Sequence, residues 1–261
     1  MAKITTDYII EKLLENGLYY FTPKLLASIL GVKPWQAYDL LFRLKKRKLI
    51  LEAEKGKYFV LGFDKAKILS NPWFVACKIF IPSYVSFWTA LNYYGLTEQV
   101  PYKVFLATTR QKRKEIRFHS GIFKYVFVRP YKFFGYEKIN VGGLTALMAQ
   151  EEKALVDALD HPEYSGGISE VAKCLYNAKI EKRIKYAKLI NYAIKMKNKS
   201  LCSRLGFLLE LIKIDAGSLN PYISKSYILL DPNRVRTNKW NKKWKINVNL
   251  SKKDLFSWRE S

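Results

Sequence analysis

The sequence predicts an α+β protein with an N-terminal winged helix-turn-helix, followed by a larger mixed α/β domain in which a small sheet is flanked by helices. Three observations support this prediction. The chain has 261 residues, about the length of two ordinary domains. Its first 62 residues contain three short helical patterns and then two strand-like runs. The remaining residues alternate between strand-like runs and amphipathic helical patterns.

The first two helices are defined by their ends as much as by their apolar faces. Apolar residues at helical spacing predict a first helix over 6–16, which the following Gly17 ends. Thr22 is an expected N-cap and Pro23 an expected first helical residue of a second helix. Gly31 suits the left-handed residue that ends this helix. Two short helices are therefore expected before residue 32.

A third helix is predicted to begin at Pro34, directly after the glycine turn. A basic run at 45–48 completes its last turn, where cations interact favourably with the helix dipole. The residues expected to face the core are Ala37, Leu40, Leu41 and Leu44. Two helices joined by so short a turn form a helix-turn-helix.

The wing is predicted from two short strand-like runs, 49–51 and 58–61. The polar segment between them can turn through Gly56. Helix, helix, recognition helix and hairpin in this order are typical of a winged helix. We therefore expect residues 1–62 to form a DNA-binding domain that contacts double-stranded promoter or operator DNA.

In such a domain the third helix enters the major groove and the hairpin follows the adjacent backbone. Gln36 fits an adenine edge, and Arg43 fits guanine or a phosphate. An alternative is that the Trp35 and Tyr38 rings pack locally or meet another domain, because winged helices also bind proteins. The candidate DNA-contacting residues are Lys33, Trp35, Gln36, Tyr38 and Arg43 on the helix, and Lys55 and Lys57 on the wing.

The second domain is predicted over 83–261, after a connecting segment at 63–82 that contains two prolines. We expect three to five strands in its sheet. The predicted strands are at 102–107, 123–128, 139–141, 228–230 and 244–248. The predicted helices are at 83–94, 151–159, 168–175, 182–196 and 204–212.

The net charge of +24 indicates attraction to nucleic acid, to an anionic surface or to an acidic protein. Residues 1–62 have 11 basic and 6 acidic side chains, so most of the excess lies beyond them. It is concentrated in 103–132, 173–199 and 225–261, whereas 133–172 is acidic. The alternative for each run is a solvated, lysine-rich surface.

Candidate chemical groups are sparse. His119 and His161 lie 42 positions apart, with no cluster of cysteines or carboxylates beside either at ligand spacing, and the acidic residues at 151–160 share one helix. Cys77, Cys174 and Cys202 are widely spaced, which favours buried, reduced thiols over a disulfide or zinc site. We expect no enzyme, metal or cofactor. No apolar run is long enough to span a bilayer and no signal peptide is evident, so a cytoplasmic protein is expected.

Five sequence blocks in the second domain carry a resemblance. Residues 84–101 read YVSFWTALNYYGLTEQVP. Four later blocks are FFG at 133–135, EEKALVD at 151–157, YSGGI at 164–168 and RLGFLLE at 204–210. Together and in this order they resemble the AbiEi-type antitoxins and transcriptional regulators of type IV, abortive-infection toxin–antitoxin systems. The resemblance covers about residues 70–215, and a preceding winged helix fits the usual arrangement of that family.

The resemblance implies an antitoxin of phage defence that represses its own operon and counters a nucleotidyltransferase-type toxin, directly or indirectly. It places a candidate antitoxin surface at Glu98, Gln99 and Lys153. Glu210 is expected to pair with Arg204 or another cation, with a toxin contact as the alternative. Two other functions stay open: a nucleic-acid-binding accessory protein that uses both domains without a toxin, and a nuclease-like enzyme with an acidic site.

Overall fold

A computed structural model describes residues 4–62, 64–111, 115–119 and 121–256, apart from the side chain of Lys252. The chain is a mixed α+β protein, as predicted, and forms two compact units. The first unit comprises Met1–Ile81 together with Ile139–Ala146, and the second comprises Pro82–Lys138 and Leu147–Ser261. Residues 139–146, which were predicted as part of the domain 83–261, therefore belong to the first unit.

The first unit contains all three helices and both strands predicted for the N-terminal domain, and three further elements. Its helices and strands are α1 (Thr6–Glu15), β1 (Tyr20–Phe21), α2 (Pro23–Leu30), α3 (Pro34–Lys46), β2 (Ile50–Glu54), β3 (Lys57–Val60), α4 (Lys65–Leu69) and α5 (Pro72–Ile79). The strands form an antiparallel sheet in the order β1-β3-β2.

Local sequence signals define the ends of the first helices. The Thr5 hydroxyl accepts a hydrogen bond from the backbone N–H of Tyr8, and the Thr22 hydroxyl accepts one from Leu25, each at 3.3 Å. Gly31 ends α2 in the left-handed conformation at φ 63°, which costs a glycine little because it has no Cβ. The core beneath these helices is formed by Ile9, Ile10, Leu13, Phe21, Leu26, Ala37, Leu40, Leu41 and Leu44 with strand residues such as Ile50, Tyr58 and Val60.

The segment predicted as a linker, 63–82, is instead largely helical. Helices α4 and α5 occupy it, and Pro72 is the first residue of α5, where its missing N–H removes no helical hydrogen bond. The Asn71 side chain caps α5 and donates to the Val141 carbonyl at 2.7 Å. The Phe74 ring lies 5.9 Å from that of Phe59. These contacts within the first unit place its boundary at residues 81 and 82.

The second unit combines a mixed sheet with helices. Its first elements are β4 (Ser83–Val85), α6 (Phe87–Tyr93), β5 (Val104–Thr108), β6 (Glu115–Phe118), β7 (Gly121–Phe127), β8 (Tyr136–Val141) and β9 (Leu144–Ala149). Parts of β8 and β9 fall within residues 139–146, which belong to the first unit. The remaining elements are α7 (Glu151–Asp160), α8 (Gly167–Ile180), α9 (Tyr186–Lys195), α10 (Lys199–Leu211), β10 (Ile228–Leu229), β11 (Trp240–Asn241), β12 (Ile246–Asn247) and α11 (Lys252–Phe256).

The estimate of three to five strands was too low. The larger sheet has six strands in the order β6-β7-β5-β4-β9-β8, and β10-β12-β11 form a separate small sheet. The predicted helix 83–94 was wrong at its start, because Ser83–Val85 is a buried strand whose Val85 pairs with Leu106. Cross-strand pairing and burial on both faces fix this conformation, and neither leaves a local periodic signal.

Candidate nucleic-acid interface

The outward face of α3 is unusually aromatic. Ala37, Leu40, Leu41 and Leu44 are buried, as predicted. On the other side of the helix, Trp35 and Tyr38 are each 62% exposed and Phe42 is 70% exposed. Positions 35, 38 and 42 share one face because a helix turns about 100° per residue. We call these three side chains the aromatic face.

Two of the predicted base-reading side chains are engaged within the first unit. The Gln36 amide oxygen accepts a hydrogen bond from the Lys33 backbone N–H at 2.9 Å, which closes the start of α3. The Arg43 guanidinium is half-buried and donates to the Ile4 carbonyl at 2.8 Å. Lys33 itself is exposed. The expected base contacts of Gln36 and Arg43 therefore compete with internal hydrogen bonds that the sequence did not indicate.

The two candidate lysines of the hairpin between β2 and β3 differ in exposure. Lys55 is exposed at the turn, whereas Lys57 is half-buried and pairs with Glu54 at 2.9 Å. Beside them, the Lys45 ammonium lies 2.6 Å from a Glu52 carboxylate oxygen and lowers the pKa of that carboxyl below 4.5. Lys55 is therefore the better placed of the two to meet a phosphate.

Phe42 is an exposed aromatic residue that sequence reasoning missed. It lies two turns after Trp35 on the aromatic face, between the buried Leu41 and the half-buried Arg43. A groove of about 500 Å³ opens next to Tyr38, between α2 and α3, and its lining includes Ala27 and Pro34. The spacing of 35, 38 and 42, opposite the leucines, is the signal that could have identified the complete face.

Lys153, predicted as part of an antitoxin surface, is fully buried in α7, so this prediction was wrong. Its ammonium pairs with the buried Asp157 carboxylate and lies 4.9 Å from the centre of the Phe134 ring. The other Asp157 oxygen accepts from the Tyr84 hydroxyl at 3.0 Å and from Ser86 at 2.7 Å. Burial, followed by the charge of Asp157, raises the pKa of Tyr84 well above 10. The blocks at 84–101 and 151–157 thus share one internal polar network.

Glu98 and Gln99 are exposed, as their predicted role requires. They lie in the segment between α6 and β5, where Val100 and Tyr102 are each 80% exposed. Glu98 contacts the Lys173 ammonium at 3.4 Å and remains open to solvent. The segment 98–102 is thus an exposed apolar and acidic surface, and we call it the 98–102 loop.

The basic runs do not form one uniform cationic surface. Lys132 pairs with Asp160, Arg183 with Glu151, and Lys188 with Glu152, at 2.6–2.8 Å. The acidic stretch 133–172 thus neutralises cations of the two runs on either side of it. Residues 112–114, part of the first run, lie outside the described residues. Charge along the sequence therefore overstates the charge available to a ligand.

The C-terminal run is different, because cations and exposed aromatic rings alternate around the small sheet. The Tyr227 and Trp240 rings meet edge to face with their centres 4.9 Å apart, and both are partly exposed. The Arg236 guanidinium lies 5.7 Å from the Trp240 ring centre, and the Lys245 ammonium lies 5.3 Å from that of Tyr227. We call these four side chains the C-terminal aromatic cluster.

Glu210 is engaged with the segment that follows the small sheet's second strand. It pairs with Lys243 at 2.8 Å and accepts from the Trp244 indole N–H at 2.5 Å, and both interactions lower the pKa of its carboxyl. The predicted partner Arg204 instead donates to the carbonyls of Leu229 and Leu230. The expectation of a cation partner for Glu210 was correct, although the cation is Lys243.

The three cysteines lie in the interior of the protein. Cys77, Cys174 and Cys202 are buried, as predicted. Burial raises the pKa of the Cys202 thiol to about 11 and that of Cys174 further. Across the described part of the chain, no three His, Cys, Asp or Glu side chains are placed to hold a metal ion. None of the helices in that part is long and apolar enough to cross a membrane.

Comparisons with known proteins identify the fold but no family. No family model and no curated protein matches the chain. Among solved structures, the fold is similar to that of the RV2827C protein from Mycobacterium tuberculosis. The alignment covers 94% of this chain and 92% of that chain, with a TM-score of 0.58 and 12% sequence identity. At this identity the similarity extends to the fold alone.

Proposed function

We propose that the first unit is a winged helix that binds duplex DNA, and that the whole protein is an antitoxin that represses its own operon. The single observation that carries the DNA-binding half is the outward face of α3. The inward face of this helix is filled, whereas its outward face is exposed and flanked by Lys33 and Lys46. In a helix-turn-helix this helix lies in the major groove.

The hairpin and the charge of the unit support the same proposal. Lys55 projects from the turn between β2 and β3, where a wing would meet the neighbouring phosphates. Residues 1–62 have an excess of basic side chains, 11 against 6 acidic ones. We propose no catalytic step for either unit. Binding is expected to depend steeply on salt, because each neutralised phosphate releases counterions.

The DNA-binding half is tested by fluorescence anisotropy with the full chain. The probes are a duplex from upstream of its own gene and a scrambled duplex of equal composition, each titrated at several salt concentrations. The combined change Lys33→Ala and Lys46→Ala should weaken binding to both duplexes and reduce the salt slope by about one for each lost phosphate contact.

Lys12→Ala is the matched control, because Lys12 is a partly exposed helical lysine of α1 that pairs with Glu15 at 2.8 Å. It should leave the affinity and the salt slope unchanged. No preference for the upstream duplex, or identical behaviour of the double variant and the wild type, would contradict the proposal.

The antitoxin half rests on the resemblance of the sequence blocks to the AbiEi-type family. The 98–102 loop supports it with an exposed surface on the second unit, and we assign the toxin-countering contact to this loop. The neighbouring gene is expected to encode a nucleotidyltransferase-type toxin. Tyr102→Ala, co-expressed with that toxin from an independent promoter, should protect growth less than the wild type does.

Tyr222→Ala is the control for the loop, because Tyr222 is an exposed tyrosine elsewhere in the second unit. It should retain protection, and both variants should repress the promoter as the wild type does. Antitoxin abundance is measured in the same cultures to separate lost contact from degradation. Full protection by Tyr102→Ala at equal abundance, or no protection by the wild type, would contradict the assignment.

A second candidate function is favoured by the C-terminal aromatic cluster. Exposed rings beside cations stack on unpaired bases and hold the phosphate backbone, so this cluster fits a single strand. The chain would then be an accessory protein that contacts nucleic acid with both units and needs no toxin. Trp240→Ala should weaken binding of a single-stranded oligonucleotide and leave duplex affinity unchanged. No binding of the single strand at low salt would exclude this function.

A further inference from the structure

We propose that α3 recognises its DNA through the methyl groups of thymine, so that its target is rich in thymine where the aromatic face lies. This inference rests on the proposed DNA binding and adds the sequence class of the ligand. Thymine carries the C5 methyl group that apolar side chains contact in the major groove. Trp35, Tyr38 and Phe42 are apolar or mainly apolar groups exposed on the outward face of α3.

Helical geometry centres the aromatic face opposite the core. At about 100° per residue, Trp35 and Phe42 lie within about 20° of each other around the helix axis. The buried Leu44 lies about 180° from Trp35. Trp35 and Phe42 are therefore among the residues most directly opposed to the core, and a partner that meets α3 head-on contacts these rings.

The polar side chains of α3 are less suited to reading bases. Recognition of adenine by Gln36 needs both its amide oxygen and its NH₂ group, and the oxygen already accepts from the Lys33 N–H at 2.9 Å. Arg43 lies about 80° from Trp35 around the axis and donates to the Ile4 carbonyl. Base reading by either side chain would therefore compete with an internal hydrogen bond.

Two charged residues complete the outward face. Lys46 is exposed one turn beyond Phe42, where it can meet a phosphate. Asp39 is exposed between Trp35 and Phe42, and a carboxylate in the groove accepts from the amino group of cytosine. The outward face of α3 therefore favours a target in which thymines flank a single C·G pair. The cations of α3 and of the hairpin would contact the phosphate backbone of the DNA.

The test replaces thymine by uracil in the upstream duplex, which removes only the methyl group and keeps every base-pairing group. Burial of one methyl is worth about four-fold in affinity, so loss of three contacted methyls should weaken wild-type binding by several tens of fold. Phe42→Ala should bind the thymine duplex more weakly and discriminate less between thymine and uracil. Lys46→Ala should weaken both duplexes equally and keep the wild-type ratio.

The outcomes separate this inference from the function on which it rests. If the wild type prefers its upstream duplex but binds the uracil form equally well, thymine reading is wrong and DNA binding stands. If it shows no preference for the upstream duplex, both fail. Sedimentation without DNA tests the other occupant of the face, a second copy of the chain. A dimer that Phe42→Ala dissociates, together with equal binding of thymine and uracil duplexes, would overturn the inference.

Discussion

Helices α3 and α7 depart from the usual amphipathic pattern in opposite directions. Helix α3 exposes three aromatic rings, at 35, 38 and 42, whereas α7 buries the charged side chains of Glu152, Lys153 and Asp157. In α7 the unusual groups have partners within the second unit, since Lys153 meets Asp157, and Glu152 meets Lys188. An exposed apolar face is buried only when another molecule binds to it. A buried charge that already has a counter-charge needs no such partner.

The comparison shows how an unusual residue with a structural role differs from a candidate binding residue. A charged side chain in a resemblance block, such as Lys153, looks like a binding residue until its burial and pairing are known. An aromatic residue at helical spacing, such as Phe42, looks like a core residue until its exposure is known. Exposure together with the absence of an internal role is therefore the better guide to a site than residue type.

The largest effect is expected from a substitution that breaks the polar network around Asp157 in α7. Asp157→Ala leaves the Lys153 ammonium buried without its counter-charge and removes the acceptor of two hydroxyls, so it should destabilise the second unit by about 3–5 kcal/mol. Lys153→Met should cost less, because the Asp157 carboxylate keeps hydrogen bonds from Tyr84 and Ser86. Hydrogen exchange of α7 amides measures the loss locally, which avoids a two-state assumption for a two-unit chain.

The test is which of the two variants loses more stability, and the size of each loss is less important. If Lys153→Met destabilised α7 more than Asp157→Ala does, the network would depend on the cation and not on the carboxylate. A loss below about 1 kcal/mol for Asp157→Ala would mean that the pair is not buried in solution.

The next effect compares two adjacent residues of α3. Leu41→Ala removes a buried side chain and should cost about 2–5 kcal/mol, whereas Phe42→Ala should change stability by no more than about 0.5 kcal/mol. Urea unfolding of both variants, with exchange of α3 amides, provides the measurement. Equal destabilisation would show that Phe42 has an internal partner, and the aromatic face would then be structural like α7.

The smallest expected effect concerns the exposed Lys45–Glu52 pair. Because the folded-state pKa of Glu52 is lowered, its stabilisation is present above the unfolded pKa near 4.5 and is lost as the pH falls through the folded value. Both side chains are about two-fifths exposed, so the contribution is at most about 1 kcal/mol.

Glu52→Gln provides the measurement for this pair, since it removes the charge and keeps the size of the side chain. The difference in unfolding free energy between wild type and variant at pH 7 should shrink towards zero well below pH 4. A difference that does not change with pH would assign the effect to packing. The pair would then contribute no charge-dependent stability.

The first 62 residues were predictable because their signals are local. Caps and turns such as Thr22, Pro23 and Gly31 act within three or four residues of their position. The second unit was less predictable because long-range pairing decides its strands. Ser83–Val85 was predicted as part of a helix. Neither β6, which pairs with β7, nor β9, which pairs with β4, was predicted.

The candidate site was predicted in position but not in detail. The helix and the hairpin were identified, and Lys33, Trp35 and Tyr38 are exposed as a contact surface requires. The Ile4 partner of Arg43 lies 39 positions away, and that of Lys57 depends on the register of the hairpin. Hydrogen bonds and ion pairs of this kind depend on packing, which periodicity does not report.

The order of synthesis gives residues 139–146 a further importance. They belong to the first unit, although 57 residues of the second unit, Pro82–Lys138, precede them in the chain. While the ribosome makes the protein from its N-terminus, the Asn71 amide cannot reach its acceptor until Val141 has emerged. A nascent or truncated chain that ends before residue 139 contains every element of the predicted DNA-binding domain and yet lacks part of the unit that holds them.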